Sequence, residues 1–213
     1  SRRVFAFHKP ETLHQWLKAP RTLRKALGEM PALVETGLRD CQVDAIKGLE
    51  HSLAEDSPRS LIQLATGAGK TFTACSFSYR LIKHAGARRI LFLVDRNNLG
   101  DQTLKEFQNY QPPGAANRFT DTYIVQHLHS PHIDPDAKIV ITTIQRLYAM
   151  LRGEDIEEEA EEASAFETWQ GEEGQVPPVE YNPDLPIETF DFIITDECHR
   201  SIYGLRLQLL ENP

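Results

Sequence analysis

Cysteine is scarce: Cys41, Cys75 and Cys198 are the three in 213 residues. They lie far apart and in no metal-ligand spacing. That argues against a disulfide framework or a zinc site and predicts reduced thiols, each a small buried hydrophobe. Long apolar runs are missing as well; none approaches the ~18–20 residues of a membrane span. The stretch Ser1 to Pro10 carries no apolar core of a secretory signal. These absences predict a cytoplasmic protein with no membrane partner. Positive charge is also short, with 23 Lys and Arg against 31 Asp and Glu, a net charge of −8. The deficit is local, because ten of the acids fall between Glu154 and Glu173, a stretch without Lys or Arg; the rest of the chain sums to +2. The acidic total therefore leaves a nucleic-acid partner open.

What is present organises itself around residues 60–71. The apolar run Ser60-Leu61-Ile62-Gln63-Leu64-Ala65 leads into Thr66-Gly67-Ala68-Gly69-Lys70-Thr71, and Phe72 to Lys83 reads as a helix. The pattern predicts a strand, a tight loop and a helix start. Gly67 and Gly69 lack a Cβ, so the backbone turns sharply and its N–H groups approach an anion closely. The helix N-terminus adds partial positive charge. Lys70 would reach the outer phosphates of a nucleotide, and the Thr71 hydroxyl is a hard oxygen ligand for Mg²⁺. An ordinary strand-to-helix turn is the alternative.

A length of 213 residues suits one large domain, or one domain with an extension. Residues 1–34 read as a helical linker with helices over Glu11–Leu17 and Thr22–Met30. The main domain is placed at 35–213. Val43, Ile46, Leu49 and Leu53 define one face of a helix that begins near Gln42. Ile90–Val94, Thr122–Val125, Lys138–Thr143 and Phe190–Thr195 read as strands; continuous apolar runs fit a sheet buried on both faces. Asp95, Arg96 and Asn97 follow the first of these, and Thr143, Gln145 and the apolar face of a helix follow the third. His127, His129 and His132 read as a turn with exposed imidazoles rather than a metal centre. Residues 153–186, with the acidic run and Pro177, Pro178, Pro183 and Pro186, read as a solvated insertion that Phe166 and Trp169 dock. The last strand ends in the adjacent carboxylates Asp196 and Glu197, suited to holding Mg²⁺ and to polarising a water. The fold class expected is α/β, with a mostly parallel sheet and a short helical extension.

Ala65-Thr66-Gly67-Ala68-Gly69-Lys70-Thr71 resembles motif I of superfamily 2 helicases and translocases, with Ala65 where the general phosphate loop has glycine. Asp196-Glu197-Cys198-His199-Arg200-Ser201 resembles the DEAH-like motif II of type I restriction endonuclease R subunits, as do Leu91–Leu99 and Ile141–Leu147 in their places; the resemblance covers about residues 38–204. It implies a RecA-like fold that binds ATP and Mg²⁺ and translocates duplex DNA within a complex with modification and specificity subunits. It implies nucleotide binding by Gln42, Thr66, Gly67, Ala68, Gly69, Lys70 and Thr71, with the Gln42 amide reading adenine. Thr71 and Asp196 would hold the metal. Glu197, Lys70, Asp196 and His199 would be the catalytic set. Arg96, Asn97, Thr143 and Gln145 would touch nucleic acid. A superfamily 2 helicase or repair translocase acting on DNA or RNA, and a non-hydrolysing nucleotide-gated scaffold, are the other readings. The nuclease constellation of the family is not identifiable, nor is a motif III. In this fold class the strand after motif II lies between those carrying motifs I and II, so the chain is expected to be a segment of a longer polypeptide, with a gap in its sheet.

Overall fold

Apolar residues in the strands alternate between two cores, and that alternation organises the molecule. The structure, a computed structural model, describes residues 10–18, 22–55, 57, 59–156, 161 and 182–196. Its elements in chain order are α1 (Pro10–Lys18), α2 (Leu23–Gly28), α3 (Asp40–Ala54), α4 (Lys70–Arg80), β1 (Ile90–Val94), α5 (Asn97–Asn109), β2 (Ile124–His127), β3 (Ala137–Thr143), α6 (Ile144–Leu151) and β4 (Phe192–Thr195). A single π-helical turn, Leu81–Ala85, ends α4, and Gly86 at φ +78° closes it.

The four strands form one parallel sheet in the order β2-β3-β1-β4. Ile90, Phe92 and Val94 of β1 enter one core with Cys75, Leu81, Phe107 and Phe119, under α4 and α5. Leu91 and Leu93, on the opposite pleat, enter a second core with Val140, Ile144, Leu147 and Met150, under α6. All five β1 residues are buried, which is why the run carries no polar alternation. Helices thus cover both faces, and the α/β expectation holds. Apart from residues 60–65, the expected elements among the described residues appear within a few residues of their predicted limits. No helix among the described residues is long and apolar enough to cross a membrane.

Two differences from the sequence reading matter for the site. Residues 60–65 form no strand: they run as coil, with Leu61 78% exposed. Sheet membership requires a hydrogen-bonded neighbour, and a cavity of about 210 Å³ separates this segment from β4. Its walls include Leu61, Ile62 and Leu64 on one side and Ile193 and Thr195 on the other. The extension, read as a linker, is partly integral: Ala26 and Leu27 of α2 are buried in the first core. Arg80 ties it down. Its guanidinium pairs with Glu50 of α3 (Nε–Oε1 2.5 Å, Nη2–Oε2 2.9 Å) and donates from Nη2 to the Pro31 carbonyl at 2.6 Å.

Candidate functional site

The parallel register brings the strand ends level. Val94 pairs with Thr143 and Leu93 with Thr195. Asp95 and Arg96, the start of α6, and Asp196 therefore emerge along one edge, where open α/β sheets bind ligands. The Asp196 N–H donates to the Leu93 carbonyl at 3.0 Å, extending the ladder one residue past β4.

The loop before α4 has the backbone the sequence demands. Gly67 and Gly69 lie at φ +77° and +84°, and Gly69 caps α4. Ala68 N–H closes a turn on the Ala65 carbonyl at 3.1 Å. Lys70 and Thr71 form the first turn of α4, whose N–H groups have no intrahelical acceptor. Lys70, Thr71 and Asp196 all line the 210 Å³ cavity. An ammonium, a hydroxyl and a carboxylate converging beside a helix N-terminus are the donor set for phosphate oxygens and a hard divalent cation. The residues present fit a Mg²⁺-nucleotide.

Gln42 braces the loop from α3. It is buried, and its amide is taken up by the chain itself: Nε2 donates to the carbonyls of Ala68 (2.9 Å) and Gly69 (3.4 Å), and Oε1 accepts from Arg39 N–H at 2.9 Å. Arg39 Nη1 donates to the Gly67 carbonyl at 2.8 Å. A Cβ on Gly69 would meet Gln42 Nε2 at 2.5 Å, so the glycine permits this close brace. Gln42 thus holds the loop through its amide. The sequence pairs Arg39 with Gln42 three residues on, and the structure shows that both side chains bond to the loop.

Of the proposed nucleic-acid contacts, Arg96 is partly exposed at the N-cap of α5, with Nε 3.9 Å from Asp95. Asn97 is buried and its Oδ1 has no hydrogen-bond partner among the described residues. Thr143 and Gln145 are buried. The Thr143 hydroxyl caps α6 by accepting from Arg146 N–H at 3.1 Å and donates to Glu161 Oε2 at 2.6 Å. Glu161 is 1% exposed, so the expectation of a wholly solvated acidic insertion is corrected: part of it is anchored in the interior. Glu197 and His199 lie outside the described residues, as do Cys198, Phe166 and Trp169.

The histidine expectation is corrected in part. His127 is buried at the end of β2, its Nδ1 3.1 Å from Asp101 Oδ1, with the His129 ring 4.4 Å away. His129 and His132 are exposed, as expected. Asp101, His127 and His129 offer ligand atoms within 4.8 Å of one another.

Comparison with known proteins follows these lines. The chain is 30% identical over 195 residues to the type I restriction enzyme EcoKI endonuclease subunit of Escherichia coli K12, covering 91% of this chain and 14% of that protein. It is 33% identical over 159 residues to the EcoAI endonuclease subunit of Escherichia coli, covering 75% and 15%. It is 29% identical over 167 residues to the SsaAORF53P endonuclease subunit of Staphylococcus saprophyticus, covering 78% and 15%. The chain thus spans about one-seventh of the length of these relatives. No solved structure matches it. The model of one protein family, described as type III restriction enzyme, res subunit, matches residues 35–212, and the chain belongs to that family.

Proposed function

We propose that this chain is the ATP-binding part of a DNA-translocating motor in a restriction enzyme of the type I class. The observation that carries the reading is the convergence of Lys70, Thr71 and Asp196 on one cavity, at the mouth of a loop held by two left-handed glycines. The named relatives are endonuclease subunits of type I restriction enzymes, which supports duplex DNA as the track and modification and specificity subunits as partners.

In this reading Lys70 binds the outer phosphates as a point charge, and the α4 N-terminus and loop N–H groups orient them. Thr71 and Asp196 hold Mg²⁺, which when bound neutralises phosphate charge. Glu197 positions and deprotonates the attacking water, and His199 links the nucleotide to the nucleic-acid site. Gln42 and Arg39 keep the loop in its receptive form, and the Gln42 amide exchanges its loop contacts for adenine. An arginine from a partner domain completes the charge stabilisation. Arg96, Asn97, Thr143 and Gln145 form the nucleic-acid side.

The decisive experiment is ATP hydrolysis by the full-length polypeptide, with and without duplex DNA, against a Glu197→Gln form. Duplex-stimulated hydrolysis that the substitution abolishes is the expected result. Stimulation by RNA or single strands instead would establish a helicase. Nucleotide binding without hydrolysis on any nucleic acid, with partner subunits present, would establish a scaffold. Lys70→Ala should abolish phosphate binding; unchanged ATP affinity in a titration would remove the site.

A further inference from the structure

Thr143 and Arg146 stand at the start of α6, on the strand-end edge that carries Asp95 and Asp196. Both are sealed from solvent, Arg146 being 1% exposed and the largest fully buried side chain described. They surround an anion supplied by the chain itself. Thr143 Oγ1 donates to Glu161 Oε2 at 2.6 Å, Arg146 Nε donates to Glu161 Oε1 at 2.7 Å, and Arg146 Nη2 pairs with the same oxygen. The remaining guanidinium donors go to the same stretch of chain, Nη1 to Asp155 Oδ1 at 2.9 Å and Nη2 to the Ile156 carbonyl at 3.2 Å.

This arrangement is unusual for a tether. Burying a carboxylate and a guanidinium carries a large desolvation penalty, and an apolar pair would join the same surfaces at lower cost. A hydroxyl and a two-pronged guanidinium closing on two oxygens of one anion is also the donor set that takes a backbone phosphate. The anion comes from a stretch holding ten acids and no base, a local charge density that imitates a nucleic-acid strand.

We propose that Glu161 fills the seat of a nucleic-acid backbone phosphate, and that the acidic stretch and DNA compete for Thr143 and Arg146. In the structure described here the seat is closed by the chain's own carboxylate; engagement of a duplex requires Glu161 to yield it. The inference rests on the motor reading above and adds to it an internal competitor that keeps the motor off DNA until a duplex displaces it.

The test measures duplex affinity and its salt dependence in the full-length polypeptide and its Glu161→Gln form, each with and without Thr143→Val. Glu161→Gln keeps the shape and removes the competing charge. It should tighten duplex binding about tenfold near 0.1 M salt and steepen the plot of log affinity against log salt by about 0.9, the slope of one added phosphate contact. Thr143→Val should remove most of that gain. A Glu161→Gln protein that melts like the parent and binds duplex with unchanged affinity and slope overturns the competition and leaves the motor reading standing. Absence of binding to any nucleic acid by parent and variants alike overturns both. Should Glu161→Gln fail to fold, the unsubstituted protein decides: the rate at which a glutamyl endopeptidase cuts after Glu161 should rise several-fold when duplex is added, and an unchanged rate overturns the proposal.

Discussion

Gly67 and Gly69 share a left-handed backbone but differ in what surrounds them. A Cβ on Gly67 meets nothing within 4 Å, whereas one on Gly69 strikes Gln42 Nε2 at 2.5 Å. Gly67→Ala should therefore show the backbone penalty alone, about 1–2 kcal/mol. Gly69→Ala adds expulsion of a buried amide from two carbonyls, at about 1–3 kcal/mol more. Chemical denaturation of the two variants checks the order, and Gln42→Ala should erase most of the difference. His127 gives a pH-dependent counterpart. Burial, and then the neighbouring His129, hold its imidazole below the ordinary value, against the pull of Asp101. The fold thus favours the neutral ring. That stabilisation is complete above the unfolded value of about 6.5 and is lost as pH falls through the lower folded value. Acidification from about pH 7.5 to 5.5 should weaken the native protein more than a His127→Gln form, measured by urea midpoints.

Among the elements, β1 and β3 were legible because strands buried on both faces leave continuous apolar runs, and β4 because Phe192-Ile193-Ile194 keeps such a run although the strand is only half-buried. The loop at residues 66–69 was legible because its glycines do what only glycine does cheaply. Residues 60–65 show the limit: Leu61, Ile62 and Leu64 carry a strand-like composition, but a strand exists only where a neighbour supplies hydrogen bonds. The buried Glu161 was illegible for a related reason, since nothing in an acidic run marks the one carboxylate that meets a buried guanidinium. The same holds for Arg80 and Glu50, which no sequence pattern singles out yet which join α3, α4 and the Pro31 carbonyl. Glu50→Ala should cost about 3–5 kcal/mol by stranding Arg80, and Glu50→Leu with Arg80→Met much less; thermal melting of the three forms tests this.

At the scale of the whole molecule, the proposed reading makes the chain one wall of a nucleotide site. Its 213 residues match about one-seventh of each relative. Leu61, 78% exposed, and Ile193, 44% exposed, line the cavity beside β4. The 213 residues alone should bind nucleotide weakly and turn it over negligibly, with or without duplex; vigorous DNA-stimulated hydrolysis by this segment would refute that. The sheet order has one more consequence. β1 and β4 lie side by side, yet Leu93 and Thr195 are about a hundred positions apart in the chain. Loop-closure entropy grows only with the logarithm of length, so doubling the intervening chain costs about 0.6 kcal/mol. Loop-closure entropy therefore puts little pressure on the length of the connection between α6 and β4; what constrains it is the set of contacts that Asp155, Ile156 and Glu161 make with Arg146. One residue inserted within β4 would instead turn every side chain of that strand to the opposite face and carry Asp196 away from the phosphate loop.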